Sequence, residues 1–172
     1  MPYDNILVRR PEFDEFTAMA EIKVKGWQSA YNKIVDEAYL QKLSAEQICN
    51  IMRENKKKDR YLIAEAGGEI VGFCRYRLCE ELDGQDNCRG KISELYVKLN
   101  RKRMGIGGLL FRYALDDLKE SGCGSAELGC FSENHSALAF YRKMNGEFIG
   151  RECFDIEGRK YLVDCLRFEL KK

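Results

Sequence analysis

Leu95-Tyr96-Val97-Lys98-Leu99-Asn100-Arg101-Lys102-Arg103-Met104-Gly105-Ile106-Gly107-Gly108-Leu109-Leu110 is the stretch that decides how this chain folds. Lys91 to Lys98 reads as a strand. Ile106, Leu109, Leu110, Tyr113, Ala114 and Leu118 then recur at helical spacing, which predicts a helix from about Gly105 to Glu120. A helix N-terminus carries unpaired backbone N–H groups and a partial positive charge. Glycines let a phosphate approach those groups closely. Lys98, Arg101, Lys102 and Arg103 add positive charge at the same place. The segment reads as a seat for a pyrophosphate, or as a glycine-rich turn with solvated basic residues. A Walker-type loop requires Gly-Lys followed by Ser or Thr, and Gly107-Gly108-Leu109 stands here instead. A dinucleotide fingerprint needs a third glycine at a spacing that Gly105-Ile106-Gly107 lacks.

Outward from this core, Ser121-Gly122-Cys123-Gly124 stops the helix and Ser125 to Phe131 forms the next strand. Strand, helix and strand in this order predict a parallel pair with a crossover helix. Asn134 to Met144 reads as a second helix capped by Asn134. Phe148–Phe154 and Tyr161–Leu170 read as a hairpin turning at Glu157-Gly158. On the N-terminal side, Tyr61–Glu65 and Ile70–Leu78 form a hairpin around Gly67-Gly68. The polar residues from Glu80 to Arg89 read as a loop. Asn5–Arg9 is a short first strand. A helical stretch opens at Pro11-Glu12 and carries Phe13, Phe16, Met19, Ala20, Ile22 and Val24. Ser44-Ala45-Glu46-Gln47 is a capping-box pattern, so another helix starts at Ser44 and ends near the run from Glu54 to Asp59. The expected fold class is therefore α/β, with helices layered on a mixed, twisted sheet of about seven strands. It is read as a single domain over residues 1–172.

Composition bounds the function. The chain has 172 residues, 29 Lys plus Arg against 28 Asp plus Glu, and a net charge of +1. That balance gives no global field for nucleic acid or anionic lipid. No apolar run reaches membrane-spanning length, and the N-terminal residues do not resemble a secretory signal, so a cytoplasmic protein is expected. The eight cysteines form no Cys-x-x-Cys pair and His135 is the sole histidine, so no metal site is expected. The cysteines are expected to be reduced and mostly buried.

The run Lys102-Arg103-Met104-Gly105-Ile106-Gly107 resembles the acyl-CoA-binding motif of the GNAT superfamily of N-acetyltransferases: Gln or Arg, two residues, Gly, one residue, Gly or Ala. Lys102 departs from it, keeping the charge but losing the fork geometry of Arg. Asn134, Ala137, Phe140-Tyr141, Gly146 and Phe148 resemble the second family motif. The likeness is strong from about Tyr61 to Phe154, and Gly26 to Ser44 resembles the N-terminal region of many bacterial members. It implies an acetyl-CoA-dependent N-acetyltransferase with a GNAT-like fold. Backbone amides from Arg103 to Gly108, those of Met104, Gly105, Ile106 and Gly107 included, would hold the pyrophosphate, with Lys102 beside them. Leu95, Tyr96 and Val97 would pair with the pantetheine arm, and Asn134 and Tyr141 would lie opposite.

Amide formation from a thioester needs a neutral amine, yet an alkyl amine has a pKa of about 10 and arrives protonated. Something must accept that proton. The resemblance places Tyr141 as general acid toward the CoA sulfur. Glu94 is the candidate base. Strand alternation puts it on one face with Ile92 and Tyr96, beside an apolar cleft. It would equally fit a carboxylate that merely pairs with a basic residue. Tyr96 could position a water, and the Val97 N–H is the candidate oxyanion donor. His135 follows a helix cap and is expected at the solvent or cofactor rim. Cys130 lacks an activating base, which favours direct transfer. Trp27 and Tyr31, one helical turn apart, line the acceptor pocket or pack as core. The acceptor class is a primary amine on a small molecule or peptide. The acidic residues Glu80, Glu81, Asp83 and Asp86 could attract it or simply solvate their loop. A homodimer is compatible with the family but required by no residue. The rival functions are a non-catalytic acyl-CoA sensor on the same fold and a nucleic-acid module using Lys98 to Arg103.

Overall fold

The computed structural model describes residues 5–79 and 88–170. Its strands are β1 (Ile6–Arg9), β2 (Arg60–Ala66), β3 (Glu69–Cys79), β4 (Arg89–Val97), β5 (Ser125–Phe131), β6 (Glu147–Ile156) and β7 (Arg159–Glu169). They join in one seven-stranded sheet, ordered β1-β2-β3-β4-β5-β7-β6. The helices are α1 (Phe16–Ala30), α2 (Glu37–Gln41), α3 (Ala45–Asn55), α4 (Ile106–Glu120) and α5 (His135–Lys143). The mixed α/β layering expected from the sequence is therefore present.

Every strand pair is antiparallel except β4 with β5, whose parallel pairing uses α4 as its crossover. That pairing is short. Arg89, Gly90 and Lys91 sit opposite Ser125, Ala126 and Glu127, and beyond them the two strands part. β4 stays bonded to β3 on its other side, and β5 to β7. The sheet is thus split in its middle, with free strand edges on both sides of the gap. Gly90 lies at the root of the split. A Cβ there would collide with the Leu118 side chain, so glycine lets α4 press onto the root.

Two apolar layers cover the sheet. On one face Val71, Cys74, Tyr76 and Ile92 pack under Leu110, Phe111, Ala114 and Leu118 of α4. On the other, Tyr61, Ile63 and Phe73 pack under Phe16, Met19 and Ala20 of α1 and Cys49 and Met52 of α3. A third cluster of Val35, Leu40, Phe131, Ile156 and Tyr161 gathers beyond the open end of β5.

The local signals account for most boundaries. Ser44 caps α3 by accepting from the Gln47 N–H at 3.3 Å, and Asn134 caps α5 by accepting from the Ala137 N–H at 3.3 Å. At the N-terminal end, Phe13–Glu15 form a 3-10 turn and α1 continues past Val24 through Trp27 to Ala30. The short α2 had no strong periodic signal. The acidic residues Glu80, Glu81, Asp83 and Asp86 lie outside the described residues. No helix among the described residues is long and apolar enough to cross a membrane.

One expectation about β4 is corrected. Arg75 sits opposite Glu94, but Tyr76 sits opposite Ile92, so Ser93 is an extra residue forming a bulge. Alternation is broken there. Ile92 belongs to the α4 face, while Glu94 and Tyr96 face α1.

Candidate active site

The turn between β4 and α4 presents a run of backbone N–H groups without protein acceptors among the described residues. Lys102 is extended, Arg103 takes a left-handed φ of 61°, and Gly105 has φ 78°. A left-handed conformation is uncommon for a residue with a side chain and costs about 1–2 kcal/mol. Such turns point successive N–H groups toward one spot. Gly105 caps α4 without a side-chain acceptor, and the first helical bond is Leu109 N–H to Gly105 O at 3.0 Å. Among the described residues, no protein acceptor takes the N–H groups from Lys102 to Gly108. Gly107 is not demanded by packing. A Cβ there would lie 3.7 Å from Val97 and 4.0 Å from Phe140, which is ordinary contact. These free donors, and the space before them, fit a phosphate group.

The turn opens into a cleft of about 1820 Å³ that occupies the split between β4 and β5. All the expected cofactor residues line it except Met104, whose side chain is surface-exposed. Ile106 contributes through its backbone only, since its side chain is in the core. Lys98 is a second correction. Its ammonium donates to Glu69 at 2.5 Å, and Lys98 does not line the cleft. Arg112, one helical turn beyond Gly108, lines the cleft instead, and that i+4 spacing was visible in the sequence.

Tyr141 projects from α5 toward the split. Its ring packs on Phe111 at 5.6 Å and Phe140 at 5.2 Å. Burial pushes its hydroxyl well above the ordinary tyrosine range, so it carries its proton at neutral pH. Among the described residues the hydroxyl has no protein partner, nor is it one of the buried polar atoms left without one. It therefore opens to the cleft. Asn134 lines the same wall. His135 is exposed, as expected for the rim.

Glu94 is 9% exposed, and its surroundings are not the apolar cleft expected. The Lys23 ammonium, from α1, donates to its Oε1. Arg75 Nη1 lies 3.5 Å from the same oxygen, and Arg75 Nη2 is held by Asp59 at 2.6 Å. Oε2 is buried with no protein partner. The bulge at Ser93 is what turns Glu94 toward these cations. Lys23 was missed in the sequence, although it precedes Trp27 by four residues on the same helix. Tyr96 and Tyr31 flank this carboxylate, and burial raises both hydroxyls above their ordinary value. Gly26 makes room for Tyr96. A Cβ there would stand 2.7 Å from the Tyr96 ring.

Trp27 and Tyr31 are both partly buried. They line the cleft, and they stack edge-on to each other at 4.9 Å, with Tyr31 also 4.9 Å from Phe131. Cys130 lies beside them on β5. Burial pushes its thiol up to about 12, which keeps it protonated.

The split sheet thus has unpaired turn N–H groups at one end and the Tyr141 hydroxyl facing the gap. Residues 18–146 match the family model described as the acetyltransferase (GNAT) family, and the chain belongs to that family. It is similar to the uncharacterized N-acetyltransferase YuaI of Bacillus subtilis, 23% identical over 89% of this chain and 87% of that one. It is also similar to the spermidine N(1)-acetyltransferase of Thermoplasma acidophilum, 22% identical over 93% of this chain and 96% of that one. Among solved structures, the PaiA N-acetyltransferase of Thermoplasma acidophilum in complex with coenzyme A superposes with a TM-score of 0.69. It is 20% identical and covers 92% of this chain and 97% of its own.

Proposed function

We propose that this chain moves an acetyl group from acetyl-CoA to a primary amine of a small molecule or peptide by direct transfer. The observation that carries this reading is the split between β4 and β5, which joins the free N–H groups of the turn to Tyr141 and Glu94 in one cleft. The amides from Arg103 to Gly108, with Lys102 and Arg112 alongside, would hold the pyrophosphate. The free edge of Leu95–Val97 would pair with the pantetheine amides as an added strand does. When bound, acetyl-CoA supplies a thioester carbonyl open to attack by an amine.

The remaining work falls to the chain. The amine's surplus proton passes to a water held near Tyr96, with Glu94, paired to Lys23 and Arg75, as the carboxylate behind it. The Val97 N–H donates to the carbonyl oxygen as charge develops there. The Tyr141 hydroxyl gives its proton to the departing sulfur. Cys130 supports direct transfer over a covalent acyl-enzyme, because its buried thiol has no basic partner. The aromatic wall of Trp27, Tyr31 and Phe131 beside Glu94 suits a cationic amine on an apolar stem. The spermidine-acetylating relative makes polyamines the first acceptors to try, followed by amino acids and peptide N-termini. All eight cysteines are free, which is compatible with a reducing, cytoplasmic setting.

Incubation with acetyl-CoA and a broad amine panel, read by thiol release and by the mass of the acetylated product, tests the proposal. At least one amine is expected to raise thiol release well above hydrolysis. Binding of CoA without turnover of any amine would leave only a sensor.

A further inference from the structure

Cys88 and Cys123 are 35 positions apart, and their sulfurs lie 2.9 Å from each other. No other two cysteine sulfurs are hydrogen-bonded to each other among the described residues. Cys88 immediately precedes β4, and Cys123 follows α4 at the turn into β5. The backbone fixes this approach. Gly124 N–H donates to Cys88 O at 3.0 Å, and Cys123 N–H donates to Leu118 O at 3.0 Å. Gly122, at φ 92°, makes the sharp turn that brings Cys123 under the sheet. A disulfide bond is about 2.04 Å long, so roughly 0.9 Å of closure joins the sulfurs.

We infer that Cys88 and Cys123 form a dithiol modification site that hydroperoxide-class oxidants convert into a disulfide. The two thiols are not equivalent. Cys88 is half-buried, whereas Cys123 is 3% exposed. Burial first, and then the neighbouring Cys88, pushes the Cys123 thiol up to about 12. Cys88 therefore meets the oxidant. Its thiolate sulfur attacks one oxygen of hydrogen peroxide, the O–O bond breaks, and the departing hydroxide takes up the proton the Cys88 thiol gave up, leaving a sulfenic acid and one water. Cys123 sulfur then attacks the Cys88 sulfur and the S–O bond breaks. The Cys123 proton leaves with the hydroxide as a second water. Two thiols are oxidised by two electrons and one peroxide is reduced.

The site's position gives it structural weight. The bridge would close a loop containing all of β4, the anion-binding turn and α4, and would pin the root from which the split opens. This inference does not depend on which acceptor the cleft takes.

The folded full-length protein is treated with one equivalent of hydrogen peroxide, quenched and denatured, and its free thiols are counted. Loss of two of the eight thiols is expected, with tandem mass spectrometry placing the link between Cys88 and Cys123. Cys88→Ser and Cys123→Ser are each expected to abolish the link, while Cys79→Ser, which alters the half-buried thiol at the end of β3, retains it. Fragment spectra of the unaltered protein decide the matter even if Cys123→Ser fails to fold. Eight thiols remaining, or a link to Cys79 or Cys153 in place of this one, would overturn the inference.

Discussion

Tyr141→Phe separates chemistry from packing more cleanly than any other change in the cleft. The ring holds its place through Phe111 at 5.6 Å, Phe140 at 5.2 Å and Phe168 at 6.4 Å, and phenylalanine keeps all three contacts. The hydroxyl has no partner among the described residues, so its removal leaves no orphaned donor or acceptor. The change in stability is therefore expected to stay within ~0.5 kcal/mol. The rate is another matter. A positioned general acid contributes about 10²–10⁴-fold, equivalent to about 3–5 kcal/mol of barrier. The assay is kcat from thiol release at saturating acetyl-CoA, using the best amine of the panel, with the thermal midpoint and the KM for acetyl-CoA measured in parallel. At least a hundredfold loss of kcat is expected, with midpoint and KM nearly unchanged. A kcat within threefold of the parent would remove Tyr141 from proton transfer. A collapse of the midpoint would show that the hydroxyl has a structural partner.

Gly107→Val tests the anion seat. Alanine there meets only ordinary contacts, so Gly107→Ala should fold and bind CoA normally. Valine adds γ carbons that must enter the cleft or crowd Val97 and Phe140, and loss of one charge-assisted contact of about 1.5–3 kcal/mol lowers CoA affinity at least tenfold; equal affinity in both variants would refute the seat. Asp164 is a pH probe. It accepts from Arg151 Nε at 2.7 Å and Ser132 Oγ at 2.5 Å, and these bonds hold its carboxyl below the usual range. A depressed folded pKa gives stability that is full above the ordinary carboxylate value of about 3.9 and is lost as pH falls through the folded value. Asp164→Asn should thus be less stable than the parent at pH 7 by urea titration, with the gap closing as pH falls below the ordinary carboxylate value; a gap independent of pH would contradict this.

Much of the site was legible because its determinants are local. Gly105, the basic run and the apolar period of α4 sit in one continuous stretch, and backbone geometry follows from them directly. Asn134 announced α5 in the same way. What escaped depends on contacts between distant segments. The Ser93 bulge carries no glycine or proline to mark it, yet it reverses the face of Glu94 relative to Ile92. The partners of Glu94 come from α1 and β3, and that of Lys98 from the start of β3, so no spacing rule could pair them. The approach of Cys88 to Cys123 likewise arises only when α4 returns the chain beside β4.

The central claim is that the split between β4 and β5 is an acetyl-CoA seat, and calorimetric titration of the full-length protein with acetyl-CoA and CoA tests it most directly. One molecule of either is expected to bind per chain, with Gly107→Val weakening both. Absence of heat at high ligand concentration, or binding that Gly107→Val leaves untouched, would contradict it.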